Sequence, residues 1–238
     1  MRWAILAGLL AAALAVPAAA GTARITVYAA SSLTEVFPQI DARARYSFAG
    51  SDELALQIRQ GAPADVFASA SPKYTQDLYR RGLMERPRTF ARNRLVLIVP
   101  RANPAHIRTV FDLRRPGIRL VLAASSVPIG KYARQVLARL GLSAALRNVV
   151  SDERDVKGVV GKVVLGEADA GLVYATDVKP VAGKVRAIAV PARGQPTVRY
   201  ELAVVKASRH AAAAHAFVVR VLGEVGRGHL GAAGFLLP

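Results

Sequence analysis

The sequence predicts an α/β fold with mainly parallel sheets, because short β-branched strands alternate with amphipathic helical segments along the chain. The segment RLVLIVP at 94–100 is apolar throughout, as in a strand that is buried on both faces. Gly61, Gly82, Gly141 and Gly166 each follow a helical pattern and mark its end. No internal repeat or low-complexity linker interrupts this alternation after the apolar N-terminus.

The predicted elements follow one another in a regular order. Strands are predicted at 24–29, 45–49, 65–69, 94–100, 119–124, 170–174, 185–190 and 201–205. Helices are predicted to open at Ser31-Ser32 and to cover 51–60, 72–81, 129–140, about 155–165 and the Ala-rich tail 207–236. In such sheets a ligand binds beyond the carboxyl ends of the strands, where helix N-termini point. Several strand-to-helix junctions here are alike, and we expect them to share one site.

Residues 1–20 are typical of a secretory signal peptide, with Arg2 before an apolar stretch and cleavage expected near Ala20. No later segment holds an apolar run long enough to cross a bilayer. The chain has no cysteine, which excludes disulfides, thiol catalysis and a lipid-bearing cysteine. We therefore expect a periplasmic protein that is not anchored to the membrane.

The formal net charge of +17 raises nucleic acid as a partner. The basic residues are scattered, aromatic residues make up only 6% of the chain, and no helix-turn-helix or zinc-finger spacing is present. We therefore expect no nucleic-acid partner. A basic surface is consistent with the attraction of small anions by a long-range field.

The first strand ends on paired serines. Ser32-Leu33-Thr34-Glu35 matches the capping box, in which Ser32 accepts from the backbone N–H of residue 35. Alternatively, Ser32 donates its hydroxyl to a bound anion beside the free N–H groups of the first helical turn. The sequence leaves both interpretations open.

Three further junctions have the same character: 48–51 (FAGS), 127–130 (VPIG) and 155–158 (DVKG). Small residues let an anion approach the backbone, and Pro128 is tolerated at a helix start because its missing N–H would be unpaired there. Tyr174 ends an apolar strand, where its phenol is either satisfied locally or serves as one more neutral donor. Together these junctions predict a cradle for an oxyanion.

A serine-dependent hydrolase is the alternative from a different class. Such an enzyme needs a base near the serine, and no G-x-S-x-G elbow or clustered metal-ligand spacing is present. The four histidines are His106, His210, His215 and His229, and none lies in a recognisable catalytic motif. We predict that the protein is not an enzyme and has no catalytic residues.

Five segments resemble the periplasmic molybdate-binding proteins of molybdate ABC transporters, which have the type II periplasmic binding protein fold. They are VYAASSLTEVF (27–37), SFAGSDELALQIRQGAPADVFASAS (47–71), SVPIGKYARQVL (126–137), DERDVKGVVGKVVLGEADAGLVYATD (152–177) and YELAVV (200–205). They occur in the family's order. The segment 38–44, which joins the first two serine junctions, is shorter than is usual in the family and implies a short first helix.

The resemblance implies two lobes, each a mainly parallel sheet flanked by helices, with the ligand cleft between them. Lobe 1 would comprise 24–96 plus 200–238 and lobe 2 would comprise 97–199, with the hinge near Val96 and Tyr200. The implied function is capture of molybdate or tungstate and delivery to the membrane permease of an ABC transporter. The resemblance also implies a monomer. It implies no cofactor, because molybdenum is present only in the bound oxyanion.

The resemblance also implies the residues that bind the oxyanion. They are Ser32, Ser51 and Tyr174 through their hydroxyls, and Ile129 and Val156 through their backbone N–H groups. Ile129 is commonly a smaller residue in the family, so its side chain is expected to shape only the wall of the pocket.

Sulfate or phosphate remains the alternative ligand. Molybdate and sulfate are fully deprotonated near neutral pH, whereas hydrogen phosphate carries a proton that needs an acceptor. Leaving that proton unpaired costs on the order of 1–3 kcal/mol. Asp52 and Glu53 directly follow Ser51, and either carboxylate would favour phosphate if it faced the site. Acidic residues in a first helical turn also complement the helix dipole and point outward, so their role stays open.

Overall fold

The computed structural model describes residues 24–238, and the predicted signal segment at 1–20 therefore lies outside the described residues. The strands are β1 (Thr26–Ala30), β2 (Arg45–Ala49), β3 (Val66–Ser69), β4 (Arg88–Asn93), β5 (Leu95–Pro100), β6 (Leu120–Ala123), β7 (Val149–Glu153), β8 (Ala170–Tyr174), β9 (Val185–Ala189) and β10 (Val198–Val204). The α-helices are α1 (Phe37–Ile40), α2 (Ser51–Arg59), α3 (Pro72–Arg80), α4 (Pro128–Arg139), α5 (Val156–Val164), α6 (Ala211–Leu222) and α7 (Glu224–Ala232). Short 3-10 turns fill several connections, the first at Ser31–Leu33.

The first sheet has the strand order β2-β1-β3-β10-β4. Its strand β1 pairs in parallel with β2, where Val27 faces Tyr46, and with β3, where Val27 faces Val66. Because these three strands run in the same direction, their carboxyl ends lie at one edge of the sheet. The residues that follow Ala30, Ala49 and Ser69 are therefore neighbours.

The second sheet has the order β7-β6-β8-β5-β9 and repeats this design. Strand β6 pairs in parallel with β7, where Leu122 faces Asp152, and with β8, where Leu120 faces Ala170. The carboxyl ends of β6, β7 and β8 therefore also share an edge. Helices α4 and α5 begin there, and Tyr174 ends β8 at the same edge.

The α/β fold with two sheets flanked by helices is as predicted, but the sheets are mixed rather than mainly parallel. Each sheet has two parallel and two antiparallel pairings. The antiparallel pairings involve β5 and β10, which follow the two crossings of the chain between the sheets. A buried apolar strand has the same composition in either direction, so the sequence did not reveal this reversal.

Two strands were missed, and the tail was predicted too simply. Strand β4 has the sequence RTFARN and the edge strand β7 has the sequence VVSDE, so their polar residues hid them. The predicted helical tail is broken at Gly223, which ends α6 and precedes α7. The other predicted helices agree with α2, α3, α4 and α5 to within one residue at most ends.

The predicted capping box at Ser32 is wrong. After β1 the chain forms a 3-10 turn, and the backbone N–H and the hydroxyl of Thr34 both donate to the carbonyl of Ser31, at 3.2 and 2.7 Å. The turn ends there, so no α-helical turn presents the N–H of Glu35 to Ser32. Instead, Ser32 Oγ lies 2.9 Å from the hydroxyl of Tyr200.

Helix α1 is only four residues long, in agreement with the short helix that the sequence implied, yet it is firmly packed. Phe37 is fully buried and its ring lies 5.8 Å from Phe90 and 5.7 Å from Phe217, measured between centroids. Arg220 on α6 donates to the carbonyl of Ile40 at 2.6 Å. One cluster of buried apolar residues extends through both sheets.

The two crossings of the chain are tied to each other by Gln195. Its side-chain oxygen accepts from the backbone N–H of Leu95 at 2.9 Å, and its amide donates to the carbonyl of Leu95 at 2.8 Å. Leu95 opens β5 at one crossing, and Gln195 precedes β10 at the other. Within the described part of the chain, no helix is long and apolar enough to span a membrane.

The start of α4 packs closely against the end of β6, and a substitution tests this approach. A Cβ on Gly130 would lie 2.1 Å from the carbonyl oxygen of Ala124 and 2.2 Å from that of Ala123. We expect Gly130→Ala to lower the free energy of unfolding by about 1–3 kcal/mol or more, because backbone atoms must move. Urea denaturation measures the change.

Gly161→Ala in α5 is the matched control, because a Cβ there meets nothing within 4 Å. It should leave the free energy of unfolding unchanged or raise it by about 0.4–1 kcal/mol. Equal losses in the two variants would contradict the close approach of α4 to β6.

Candidate functional site

All five positions implied by the resemblance line one small cavity where the carboxyl edges of the two sheets meet. They are Ser32, Ser51, Ile129, Val156 and Tyr174. The remaining lining residues are small or apolar, namely Ala30, Ser31, Ala49, Gly50, Ala70, Val127 and Pro128. The cavity volume is about 10 Å³, which is close to the least that holds one water molecule.

The first sheet contributes the serines. Ser31 and Ser32 follow β1 directly, and Ser51 is the first residue of α2 after β2 and Gly50. The Ser51 hydroxyl oxygen accepts from the backbone N–H of Ala70 at 3.1 Å, and Ala70 follows β3. Because one lone pair of Ser51 is used in this way, its hydrogen remains available to an acceptor in the cavity.

The second sheet contributes helix starts. Helix α4 begins at Pro128 and α5 begins at Val156, and both Ile129 and Val156 are buried. Within residues 24–238, the backbone N–H groups of Ile129 and Val156 make no hydrogen bond. Asp155 caps α5 by accepting from Gly158 at 3.0 Å, which leaves the N–H of Val156 free. These N–H groups lie at the positive ends of two helix dipoles.

Tyr174 contributes a hydroxyl that is buried and unsatisfied. Its side chain is 1% exposed, and the hydroxyl finds no hydrogen-bond partner among the described residues. Burial raises the pKa of Tyr174 well above its usual value, and the neighbouring phenol of Tyr200 acts in the same direction. Tyr174 is therefore a neutral donor at physiological pH. Such an orphaned group is uncommon in a protein interior and indicates a missing acceptor.

No charged side chain is among the residues that line the cavity. Asp52 is half-buried and Glu53 is exposed, and both line a separate outer groove with Arg59 and Lys73. Neither carboxylate is among the residues that line the cavity, but Asp52 Oδ1 is buried without a hydrogen-bond partner in the described chain and lies close to Gly50, which does line it. Among residues 24–238, no group of acidic or histidine side chains is arranged to hold a metal cation.

A buried carboxylate that is paired with a partly exposed lysine, which the sequence did not reveal, lies next to the cavity. Asp177 is 2% exposed, and its carboxylate oxygen lies 3.6 Å from Lys157 Nζ. Burial raises the pKa of Asp177 to about 7, although Lys157 acts in the opposite direction. Lys157 also lies 3.6 Å from Glu35, which follows the 3-10 turn of the first sheet. This lysine therefore connects elements of both sheets.

Further contacts cross the cleft around the cavity. The Tyr74 hydroxyl donates to the carbonyl of Ser126, and the Asn93 amide donates to Thr176 Oγ1 at 2.9 Å. The carbonyl of Arg154 approaches Gly50 so closely that a Cβ there would lie 2.8 Å away. These contacts join residues that are far apart in sequence, and no local sequence pattern predicted them.

A larger groove of about 880 Å³ lies at the opposite edge of the first sheet, near the start of β1 and β3. Asp65 is its buried polar residue, and its carboxylate accepts from the backbone N–H of Thr26 at 2.7 Å and from Ser208 at 2.5 Å. Because the Asp65 carboxylate is already satisfied within the protein, nothing in this groove requires a ligand. The small cavity is the better candidate despite its size.

Comparison with known proteins agrees with this site. Residues 25–236 match the model of a family described as bacterial extracellular solute-binding protein. The chain is 39% identical over 228 residues to the molybdate-binding protein ModA of Mycobacterium tuberculosis, which covers 92% of this chain and 86% of that relative. It is 31% identical over 210 residues to the molybdate-binding protein ModA of Escherichia coli, with 82% of each chain covered.

Solved structures show the same fold. The periplasmic molybdate-binding protein of Azotobacter vinelandii has a TM-score of 0.81 at 24% identity, covering 90% of this chain and all of that one. The sulfate-binding protein SubI of Mycobacterium tuberculosis has a TM-score of 0.76 at 19% identity, covering 89% of this chain and 86% of that one.

The raised pKa of Asp177 predicts how stability depends on pH. Between about pH 4 and pH 7 the folded protein keeps the proton on Asp177, whereas the unfolded chain, with the ordinary value of 3.8, has lost it. The contribution of Asp177 to stability is therefore present at low pH and falls by at most about 1.4 kcal/mol per pH unit across this window. Above pH 7 no further loss is expected.

Asp177→Asn removes this titration. The free energy of unfolding of the unmodified protein, minus that of the variant, should fall from pH 4 to pH 7 and then level off. Urea denaturation without added anion at a series of pH values measures it. A difference that stays constant or rises with pH would show that Asp177 is ionised in the folded protein throughout.

Proposed function

Because the chain belongs to the bacterial extracellular solute-binding protein family, we propose that it captures molybdate in the cavity between its two sheets. It then delivers the anion to the membrane permease of an ABC transporter. The buried cavity supports this function most directly, because it presents hydroxyl and backbone N–H donors and no charged side chain is among its lining residues. The molybdate-binding relatives point to the same ligand.

Five groups are proposed to hold the anion. The hydroxyls of Ser32, Ser51 and Tyr174 and the backbone N–H groups of Ile129 and Val156 each donate one hydrogen bond. In support, the hydroxyl of Tyr174 and the two N–H groups have no partner within the described chain. A bound dianion would complete all of them at once, and donors that are already fixed in place need little reorganisation.

Selectivity among anions follows from the same donors. Molybdate, tungstate and sulfate present only acceptor oxygens near neutral pH, whereas hydrogen phosphate also presents a proton. Because neither Asp52 nor Glu53 lines the cavity, that proton would lack a carboxylate acceptor, and leaving it unpaired would cost about 1–3 kcal/mol. We propose that molybdate and tungstate both bind and that the smaller sulfate is too small to reach every donor.

The anion would be enclosed by two lobes that close on it. We assign 24–96 plus 200–238 to one lobe and 97–199 to the other, with the hinge near Val96 and Tyr200. The sheets support a division of this kind, since β1 to β4 and β10 form one and β5 to β9 form the other, but they place its boundaries before β5 and before β10, a few residues earlier in the chain. The Gln195–Leu95 hydrogen bonds would hold the two hinge segments together during closure.

We infer an exported, periplasmic monomer, with the signal peptide cleaved near Ala20 and no lipid-anchor cysteine in the sequence. We infer that it binds without catalysis and without nucleic acid. In support, none of the four histidines is among the residues that line the cavity.

Anion-dependent thermal stability tests the proposed function. Sodium molybdate and sodium tungstate should raise the melting temperature of the purified protein, since a ligand that binds only the folded state stabilises it by mass action. Sulfate should have little effect and phosphate none. Differential scanning fluorimetry with sodium chloride at matched ionic strength controls for salt effects. Stabilisation by phosphate alone, or by no anion at all, would overturn the proposal.

Tyr174→Phe separates binding from folding. The hydroxyl of Tyr174 has no partner in the described chain, so its removal should leave the free energy of unfolding unchanged or raise it. The variant should nevertheless bind molybdate about tenfold more weakly, through loss of one donor. Isothermal titration calorimetry and urea denaturation measure the two quantities.

Ser71→Ala is the matched control and should behave in the opposite way. Ser71 caps α3 by accepting from the N–H of Lys73 at 3.3 Å, and it is not among the residues that line the cavity. Its removal should lower the free energy of unfolding by about 1 kcal/mol and leave the affinity for molybdate unchanged. If Tyr174→Phe lost stability and kept its affinity, the phenol would have no role in binding.

A further inference from the structure

Lys157 in α5 lies between two carboxylates that belong to different sheets. Its Nζ is 3.6 Å from Oδ1 of Asp177, in the 3-10 turn that follows β8 of the second sheet. It is also 3.6 Å from Oε1 of Glu35, which comes after the 3-10 turn that follows β1 of the first sheet. Asp177 is buried, whereas Glu35 is exposed. The lysine therefore joins a buried partner on its own side of the cleft to an exposed partner on the other side.

The segments that carry this contact also carry proposed anion donors. Lys157 directly follows Val156, whose backbone N–H opens α5, and Glu35 lies in the segment that follows Ser32. Helix α5 also packs against the 3-10 turn Ser31–Leu33. Because each pair of residues shares one short segment, a motion that separates Lys157 from Glu35 also separates the N–H of Val156 from the hydroxyl of Ser32. The ion pair therefore forms in the arrangement in which the two donors converge.

Asp177 keeps the lysine near the cleft. It lies in the same proposed lobe as α5, and Lys157 is the cation paired with it within residues 24–238. A buried carboxylate is stabilised by a neighbouring cation, so this pair persists when the lobes move apart. Glu35, in the other lobe, is the partner that lobe motion brings in or removes.

We propose that the ion pair between Lys157 and Glu35 holds the two lobes closed and slows the release of the anion. The proposal rests on the proposed function, because it requires an anion bound between lobes that separate. Lys157 and Glu35 are positioning residues, since neither is among the residues that line the cavity. Their attraction is present in the closed form, so it lowers the dissociation rate and leaves the association rate nearly unchanged.

The direction of the effect at Glu35 separates this role from a direct effect of charge on the ligand. A negative charge near the cavity repels a dianion, so removal of the Glu35 charge would tighten binding if the glutamate acted only through its field. Loss of an ion pair that stabilises the closed form weakens binding instead.

Glu35→Gln is the decisive variant, and its effect should be modest. An exposed ion pair contributes little, and the hydrogen bonds from Tyr74 to Ser126 and from Asn93 to Thr176 still join the two lobes. We expect the dissociation rate and the Kd for molybdate each to rise by about two- to fivefold. Raising the sodium chloride concentration should narrow the difference from the unmodified protein, because salt screens exposed charges.

The dissociation rate is measured by the release of radiolabelled molybdate into an excess of unlabelled molybdate, and Kd by titration calorimetry. A buffer of about pH 8 keeps Asp177 ionised, since its pKa is about 7. Glu53→Gln is the matched control, because Glu53 is an exposed glutamate of the same lobe that accepts from Gln57 within α2 at 3.3 Å. This control removes the same charge without a contact between lobes, and it should leave the dissociation rate unchanged or lower it.

A double-mutant cycle locates the effect at Lys157. Lys157→Met should also raise the dissociation rate, and in its background Glu35→Gln should change that rate by less than about 1.5-fold. Lys162→Met is the matched control, because Lys162 also lies in α5 but pairs with Glu167 of the same lobe. It should leave the release of molybdate unchanged.

Release from Glu35→Gln that is no faster than from the unmodified protein, or additive effects in the cycle, would overturn the proposal. If Lys157→Met does not fold, the comparison of Glu35→Gln with Glu53→Gln still decides, because both substitutions are at exposed positions. Absence of molybdate binding by the unmodified protein would instead reject the proposed function.

Discussion

Hydrogen-bond donors that are buried without acceptors are unfavourable in a protein interior, and this protein concentrates several of them in one cavity. The N–H groups of Ile129 and Val156 and the hydroxyl of Tyr174 are all buried and unsatisfied within the described chain. Close packing of the surrounding backbone holds them together, as at Gly130 against the end of β6 and at Gly50 against Arg154. An oxyanion supplies acceptor oxygens for these donors, whereas a cation without acceptor atoms supplies none.

Charged side chains lie near this cavity, but none is among the residues that line it. The net charge of +17 gives the whole protein a field that attracts anions, while the lining of the cavity is neutral. Asp52 and Glu53 line an outer groove, and Asp177, in the 3-10 turn that follows Tyr174, is paired with Lys157. Long-range attraction and local contact are thus separated: the field acts on any anion, whereas the neutral donors act only on a group inside the cavity.

Much of this could be predicted from the sequence because the relevant signals are local. Helices α2 to α5 begin or end at glycines, prolines and capping residues that can be recognised in the sequence. The strands of the parallel pairs β1–β2 and β6–β7 run in the same direction, so their carboxyl ends necessarily lie together. The capping box at Ser32 failed because its spacing is also compatible with a 3-10 turn, whose backbone presents different N–H groups. Strands β4 and β7 were not predicted. Both lie at sheet edges and contain polar residues, which weaken the alternation of apolar and polar residues that indicates a strand.

By itself, the sequence determined which residues stand at the strand-to-helix junctions, since local backbone preferences place serine, glycine and proline there. The tertiary structure alone decided what those residues face. Ser32 and Tyr200 are 168 residues apart and become partners only because β10 returns to the first sheet after the second sheet is complete. Lys157 likewise reaches Glu35 only when the two sheets meet. Such contacts depend on the packing of distant segments, and no local pattern encodes the direction in which a hydroxyl donates.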